Sequence, residues 1–171
     1  INQHGKPYFI HTKYKNINFN ISHHNYMVCV VISNNETIAS IGCDVLNIQV
    51  AQNYNIQTLK NYFTLYEWQM IQTNKNPLLE LANLWIIKEA YVKAIGLGVQ
   101  ILSQIKIIKN NENKKYHISN SSFNNKLYHI ELDQEHLMAI SILYKDTSLF
   151  DPNNQISINK CISKQQLSNF I

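Results

Sequence analysis

The chain has 171 residues, of which 45% are hydrophobic and 11% aromatic, a composition that suits one domain with a sizeable core and argues against general disorder. Its formal net charge is +4, and all 15 basic residues are lysines. Because these lysines are dispersed and no arginine is present, the composition argues against an extended nucleic-acid surface. A small phosphorylated ligand needs only a few of them.

No apolar run approaches the roughly 20 residues that span a bilayer, so no membrane partner is expected. The cysteines Cys29, Cys43 and Cys161 are odd in number and lack CxxC spacing, which predicts neither a disulfide framework nor a zinc site. A reducing compartment, the cytoplasm, is the simplest expectation. Since the first residue is isoleucine, an absent leader or a longer upstream segment stays open.

The first part of the chain predicts a loop followed by two strands. Residues 1–16 are polar and contain Gly5-Lys6-Pro7, in which the proline restricts Lys6 to extended geometry. The apolar runs at 26–32 and 38–45 are rich in β-branched residues and predict a hairpin around the polar turn 33–36. Asp44 then lies near the far end of the second strand.

Two helices follow. Thr64 and Glu67 have the spacing of a capping box, which predicts a helix to about residue 71. Asn76-Pro77 provides an N-cap and a first-turn proline for a long helix that ends at Gly96.

Beyond Gly98 the pattern changes to short strands, predicted at 104–108, 115–118, 126–132 and 138–143. They form an antiparallel sheet, and the tail from residue 148 is expected to be a short helix or a docked strand. The fold class is therefore α+β, with an antiparallel sheet packed by helices.

The long helix carries three charges in an apolar setting. Five apolar residues share one stripe at about 100° per residue: Leu81, Leu84, Trp85, Val92 and Ile95. Lys88 points into this stripe, while Glu89 and Lys93 lie along its edge. One interpretation is a Glu89–Lys93 ion pair worth about 0.2–0.5 kcal/mol, with Lys88 reaching water along its methylene stem. The other is that the charges bind a ligand.

Four segments, in order, support the second interpretation. They are Gly5-Lys6-Pro7, the Phe-Asn-Ile-Ser-His segment at 19–23, the Ile-Gly-Cys-Asp segment at 41–44, and Trp85 with Lys88-Glu89 and Lys93. Together they resemble the motifs of the 4'-phosphopantetheinyl transferases. The resemblance is to the larger pseudo-dimeric type that activates surfactin synthetase or aminoadipate reductase, and Phe63-Thr64 with Glu67-Trp68 resembles its eukaryotic members.

The resemblance implies the 4'-phosphopantetheinyl transferase fold in two parts. Residues 1–40 would be the remnant of a first subdomain with a coenzyme A-binding loop and strand, and residues 41–171 a second subdomain with a metal site. Pseudo-dimeric relatives have a substantial half before the Gly-Lys-Pro loop. The chain is therefore expected to be a fragment of a longer, monomeric protein, or a homo-oligomer if it is truly this short.

The implied activity is Mg²⁺-dependent transfer of the phosphopantetheine arm of coenzyme A to a serine of an apo acyl or peptidyl carrier protein. Adenosine 3',5'-bisphosphate is released, and fatty acid biosynthesis is one such pathway. The resemblance implies that Asp44 and Glu89 bind the metal, with water completing its shell because Leu46 stands where many relatives have a second acid. Glu89 would also take the serine proton, and Lys93 would meet a phosphate oxygen or the leaving group.

The resemblance also implies a coenzyme A site. Ser22 and His23 would bind the 3'-phosphate and neighbouring groups, with Lys6 helping from its loop and His24 as a further candidate. Lys93 is a further coenzyme A-binding candidate, and Lys88 would reach the nucleotide phosphates from the other flank.

Two alternatives stay open from the sequence. The first is a non-catalytic module of the same fold that binds coenzyme A or a carrier protein without turnover. The second is an unrelated α+β domain in which the charges of the long helix form only a salt-bridged face.

Overall fold

The structure, a computed structural model, describes residues 1–2, 5–10, 17–51, 55–110, 112–113 and 115–145, without the side chains of residues 50 and 51. The strands of this part are β1 (Asn18–His24), β2 (Met27–Ser33), β3 (Ile38–Asn47), β4 (Ile107–Lys109), β5 (Tyr116–Ile118), β6 (Asn125–Glu131) and β7 (His136–Tyr144). The α-helices are α1 (Ile48–Ala51), α2 (Ile56–Leu59), α3 (Leu65–Thr73) and α4 (Pro77–Ile95), and the 3-10 helices are Lys60–Tyr62 and Val99–Gln104.

Both longer helices begin where their local signals predict; α3 runs to Thr73, two residues past its predicted end, and α4 ends at its predicted glycine. In α3, the Thr64 hydroxyl accepts a hydrogen bond from the Glu67 N–H, and the Glu67 carboxylate accepts one from the Thr64 N–H, so the capping box is confirmed. In α4, Asn76 caps the first turn ahead of Pro77. Gly96 ends the helix in the left-handed conformation with φ 73°.

The central sheet has three antiparallel strands in the order β3-β7-β6, and the β4–β5 pair forms a separate ribbon. The predicted α+β class is confirmed, but the first of the four late strands begins at Ile107 and not at residue 104. Residues 99–104 form a 3-10 helix, and the carbonyl oxygens of Leu102 and of Ile105, which follows the helix, accept hydrogen bonds from Lys88.

The predicted hairpin between residues 26–32 and 38–45 is wrong. β2 pairs with β1 across a tight turn in which Asn25 has φ 52°, while β3 pairs with β7. Periodicity missed β1 because its inward-facing side chains, such as Asn20 and Ser22, are polar yet buried.

The β1–β2 hairpin covers one face of the central sheet and α4 covers the other, so β3 lies between them. In the described part, no helix is long and apolar enough to cross a membrane. The predicted domain boundary after residue 40 falls inside β3, and that division stays a prediction. The tail from residue 148 and Cys161 lie outside the described residues.

Gly42 allows β3 to contact α4 directly. A Cβ atom at this position would lie 2.0 Å from the carbonyl oxygen of Ala90 and 2.3 Å from the amide nitrogen of Ala94.

We expect Gly42→Ala to lower the free energy of unfolding by about 1–3 kcal/mol, because strand and helix backbones must separate. Urea denaturation measures this. Gly98→Ala is the matched control, since the three atoms nearest to its Cβ all belong to the flexible Gln100 side chain, and an equal loss in both variants would contradict the explanation.

Candidate active site

Three elements bring polar side chains together beside Asp44. Asp44 is buried on β3, and its Oδ1 atom lies 2.6 Å from the Lys93 Nζ of α4. The Ser22 hydroxyl of β1 donates to the same oxygen at 2.8 Å, and Lys93 also donates to Ser22 Oγ at 3.1 Å. These residues are far apart in sequence, and the packing of β3 between β1 and α4 brings them into one cluster.

Glu89 lies one helical turn before Lys93 and is half-buried. Burial, and then the negative charge of Asp44, raise the pKa of the Glu89 carboxyl, while Lys93 opposes the rise. The structure thus places two acidic groups and one lysine in the same region. The Glu89–Lys93 ion pair of the first interpretation is not what forms, because Lys93 pairs with Asp44.

The donor set fits a hard cation that has few protein ligands. Within the described ranges, no group of three or more His, Cys, Asp or Glu side chains could hold a metal ion. The negative charges of Asp44 and Glu89 disfavour each other. Mg²⁺ is commonly bound by one or two such carboxylates, while water and substrate phosphates complete its shell. Asp44 and Glu89 could therefore hold such an ion.

Lys88 is buried within the protein, and its contact with the nucleotide phosphates stays a prediction. Its side chain is 0% exposed and its ammonium lies 2.8 Å from Glu67 Oε2. The ammonium also donates to the carbonyl oxygens of Tyr62, Leu102 and Ile105 at 2.7–3.1 Å. The alternative in which Lys88 extends to water is wrong, because the side chain is fully buried. A buried charge needs partners, and here the protein supplies all of them.

Glu67 is the residue that sequence reasoning missed. It was recognised as a capping residue, but its buried carboxylate also holds Lys88 and accepts the N–H of Ile107 at 2.8 Å. The sequence offers one signal for this ion pair: an acidic residue at the start of one helix, and a lysine in the apolar stripe of another helix that needs a buried partner. Glu67 and Lys88 together join α3, α4 and β4.

Lys6 holds the Gly-Lys-Pro loop against the core. Its ammonium donates to the Ser40 hydroxyl and, at 2.9 Å each, to the carbonyl oxygens of Ile41 and Ala94. Burial lowers the pKa of Lys6 to about 8. All three donors are used within the protein, so the predicted contact with coenzyme A requires that one of these bonds be replaced.

The two adjacent histidines lie on opposite faces of β1. His23 is exposed, on the face away from Ser22, and does not join the Asp44 cluster. His24 lies on the Ser22 face, where its Nδ1 accepts the N–H of Asn47 at 2.7 Å. Burial lowers the pKa of His24 against the opposing charge of Asp44, as expected for a neutral ring that accepts a hydrogen bond.

Comparison with solved structures identifies the fold. The holo-(acyl-carrier-protein) synthase of Bacillus anthracis, solved in complex with CoA (3',5'-ADP), superposes with a TM-score of 0.57 at 20% identity, covering 64% of this chain and 98% of that one. The Neisseria meningitidis holo-[acyl-carrier-protein] synthase gives a TM-score of 0.55 at 18% identity, covering 63% of this chain and 99% of that one. The class of fold is therefore that of the holo-acyl-carrier-protein synthases.

Sequence comparison gives the family. The model of the 4'-phosphopantetheinyl transferase superfamily matches residues 40–141, and the chain belongs to that superfamily. The 4'-phosphopantetheinyl transferase gsp of Aneurinibacillus migulanus is 29% identical over 171 residues, which cover 98% of this chain and 65% of that protein. The human L-aminoadipate-semialdehyde dehydrogenase-phosphopantetheinyl transferase is 32% identical over 94 residues, which cover 50% of this chain and 29% of that protein. The chain thus spans less than two thirds of these two relatives.

Proposed function

We propose that this chain carries the catalytic centre of a transferase that moves the 4'-phosphopantetheine arm of coenzyme A to a serine of an apo carrier protein. The observation that carries the proposal is the convergence of Asp44, Lys93 and Glu89 in a member of this superfamily. The serine oxygen forms a bond to the phosphorus that bears the pantetheine arm. The bond from that phosphorus to the bridging pyrophosphate oxygen breaks, and adenosine 3',5'-bisphosphate leaves.

Each residue of the cluster has a task in this reaction. A Mg²⁺ ion held by Asp44 and Glu89 would neutralise negative charge on the pyrophosphate. Lys93, whose side chain is 30% exposed, can exchange Asp44 for a phosphate oxygen or the leaving group. Glu89 is the base for the serine proton, and its raised pKa brings a carboxylate closer to the range in which general bases work.

The substrates follow from the same site. Coenzyme A would approach from the β1 and Gly-Lys-Pro side, where His23 is exposed and where Lys6 and His24 contact β3 on either side of Asp44, at Ile41 and at Asn47. The expected partner is an apo acyl or peptidyl carrier protein, as in fatty acid biosynthesis. The sequence's lack of a disulfide pattern supports a cytoplasmic location.

Incubation with coenzyme A, Mg²⁺ and an apo acyl carrier protein tests the proposal. We expect intact-mass spectrometry to show the carrier gaining one phosphopantetheine arm, and omission of the metal or addition of a chelator to prevent the gain. A transferase of established activity, run in parallel, shows that the carrier is competent.

Failure of the chain where the parallel transferase succeeds would contradict the proposal. Calorimetry then tests the alternative left open by the sequence, a non-catalytic module of the same fold. Binding of coenzyme A or of the carrier without transfer would support that module.

A further inference from the structure

One edge of β3 is covered by side chains of β1. Among the described residues, β3 is an edge strand of the central sheet, with β7 paired on its other side. On the other side, three alternate residues of β1 accept hydrogen bonds from three alternate backbone N–H groups of β3. The pairs are Asn20 Oδ1 with Cys43 N at 2.9 Å, Ser22 Oγ with Val45 N at 3.3 Å, and His24 Nδ1 with Asn47 N at 2.7 Å.

This arrangement, which we call the side-chain ladder, accounts for three polar residues on one strand face. Buried N–H groups without an acceptor are costly, so each member of the ladder satisfies a group that a neighbouring strand would otherwise satisfy. The pairs advance by two residues on both strands. The ladder therefore fixes the register between β1 and β3, with Ser22 opposite the residues around Asp44.

The hydrogen-bonding capacity of the Ser22 hydroxyl is fully used. A hydroxyl has one donor and two acceptor positions. Ser22 donates to Asp44 Oδ1 and accepts from the Val45 N–H and from Lys93 Nζ. In the described part of the chain, the hydrogen bonds and the ion pair of the Asp44 carboxylate all fall on Oδ1. Ser22 thus holds one oxygen of Asp44, and the other oxygen remains for a ligand.

We propose that Ser22 is a positioning residue that orients the Asp44 carboxylate for a divalent cation, and that Asn20 and His24 anchor the strand on either side of it. This inference rests on the proposed function, because the cation belongs to that function. It assigns Ser22 a task different from the coenzyme A contact that the family resemblance implies. A group that orients a metal ligand by hydrogen bonding changes metal affinity by about 10–100-fold when removed.

Two measurements that do not depend on turnover test the inference. In amide hydrogen exchange, we expect Ser22→Ala to speed exchange about tenfold at Val45, and Asn20→Leu to do so at Cys43, because each variant removes the acceptor of one N–H.

In a Mn²⁺ titration followed by electron paramagnetic resonance, we expect Ser22→Ala to weaken binding about 10–100-fold relative to the wild-type chain. Ile21→Thr, on the exposed face of β1, is the control and should change neither.

Unchanged Val45 exchange and unchanged Mn²⁺ affinity in Ser22→Ala, with weakened coenzyme A binding, would overturn the inference and make Ser22 a direct ligand of coenzyme A. If Ser22→Ala does not fold, Ser22→Cys carries the same expectations, since a thiol of similar size forms only weak hydrogen bonds. The transfer assay is separate. A wild-type chain that binds Mn²⁺ in the expected way but transfers no arm contradicts the proposed function and leaves the positioning role standing.

Discussion

Replacing Lys88 by methionine is expected to lower the free energy of unfolding by about 3–5 kcal/mol. Methionine keeps most of the side-chain volume but removes the ammonium, which leaves the wholly buried Glu67 carboxylate without its cation and three carbonyl oxygens without their donor. Urea denaturation followed by circular dichroism measures the loss. Lys75→Met, at an exposed position between α3 and α4, is the matched control and should stay within about 0.5 kcal/mol of wild type.

A double-mutant cycle identifies the cause of that loss. Glu67→Gln removes the charge but keeps an oxygen that accepts the Ile107 N–H. The double variant Lys88→Met with Glu67→Gln should therefore lose less unfolding free energy than the two single variants lose in sum. Coenzyme A binding by folded Lys88→Met should equal that of wild type. A variant of wild-type stability that binds coenzyme A tenfold more weakly would restore Lys88 to the nucleotide site.

Glu89→Gln and Asp44→Asn are each expected to slow phosphopantetheine transfer by about 10²–10⁴-fold. Both changes preserve side-chain shape and remove one carboxylate charge, so the proposed cation would lose a ligand, and Glu89→Gln would also remove the proposed base. The rate of carrier modification at saturating coenzyme A measures the effect. Either variant with a wild-type rate would contradict the assignment of its carboxylate to the metal site.

Glu89→Gln and Asp44→Asn are expected to have different effects on the melting temperature. Burial and Asp44 both disfavour the charged form of Glu89, so Glu89→Gln should keep or slightly raise the melting temperature while activity falls. Asp44→Asn should lower it, because Lys93 loses its ion-pair partner. Glu112→Gln, at an exposed turn, serves as control for both and should change neither rate nor stability.

Much of the fold was predictable wherever it depends on neighbouring residues. The capping box of Thr64 and Glu67, the Asn76-Pro77 start and the Gly96 end all act within one turn of a helix, and all were located correctly. The late strands were found as well, but their division into two sheets was not, since strand pairing is set by residues distant in sequence.

The candidate site was predictable as a set of residues and less so as an arrangement. Order and spacing of the motifs singled out Asp44, Glu89 and Lys93, which the structure brings to one place. The helical pattern places Lys88 in the apolar stripe and Glu89 at its edge, whereas the resemblance implies a site role for both residues. One residue is a rotation of about 100°, which sends Lys88 into the core and leaves Glu89 at the site.

The sequence by itself determined the two longer helices α3 and α4, the family and the chemistry-bearing residues, because these depend on local hydrogen bonding and on the identity and order of side chains. Tertiary structure alone decided the partners of those residues. Lys93 meets Asp44 across 49 positions and Ser22 across 71, and Asn20, Ser22 and His24 become one ladder only when β1 lies against the open edge of β3. Buried polar groups must find partners, and the packed fold determines which ones are within reach.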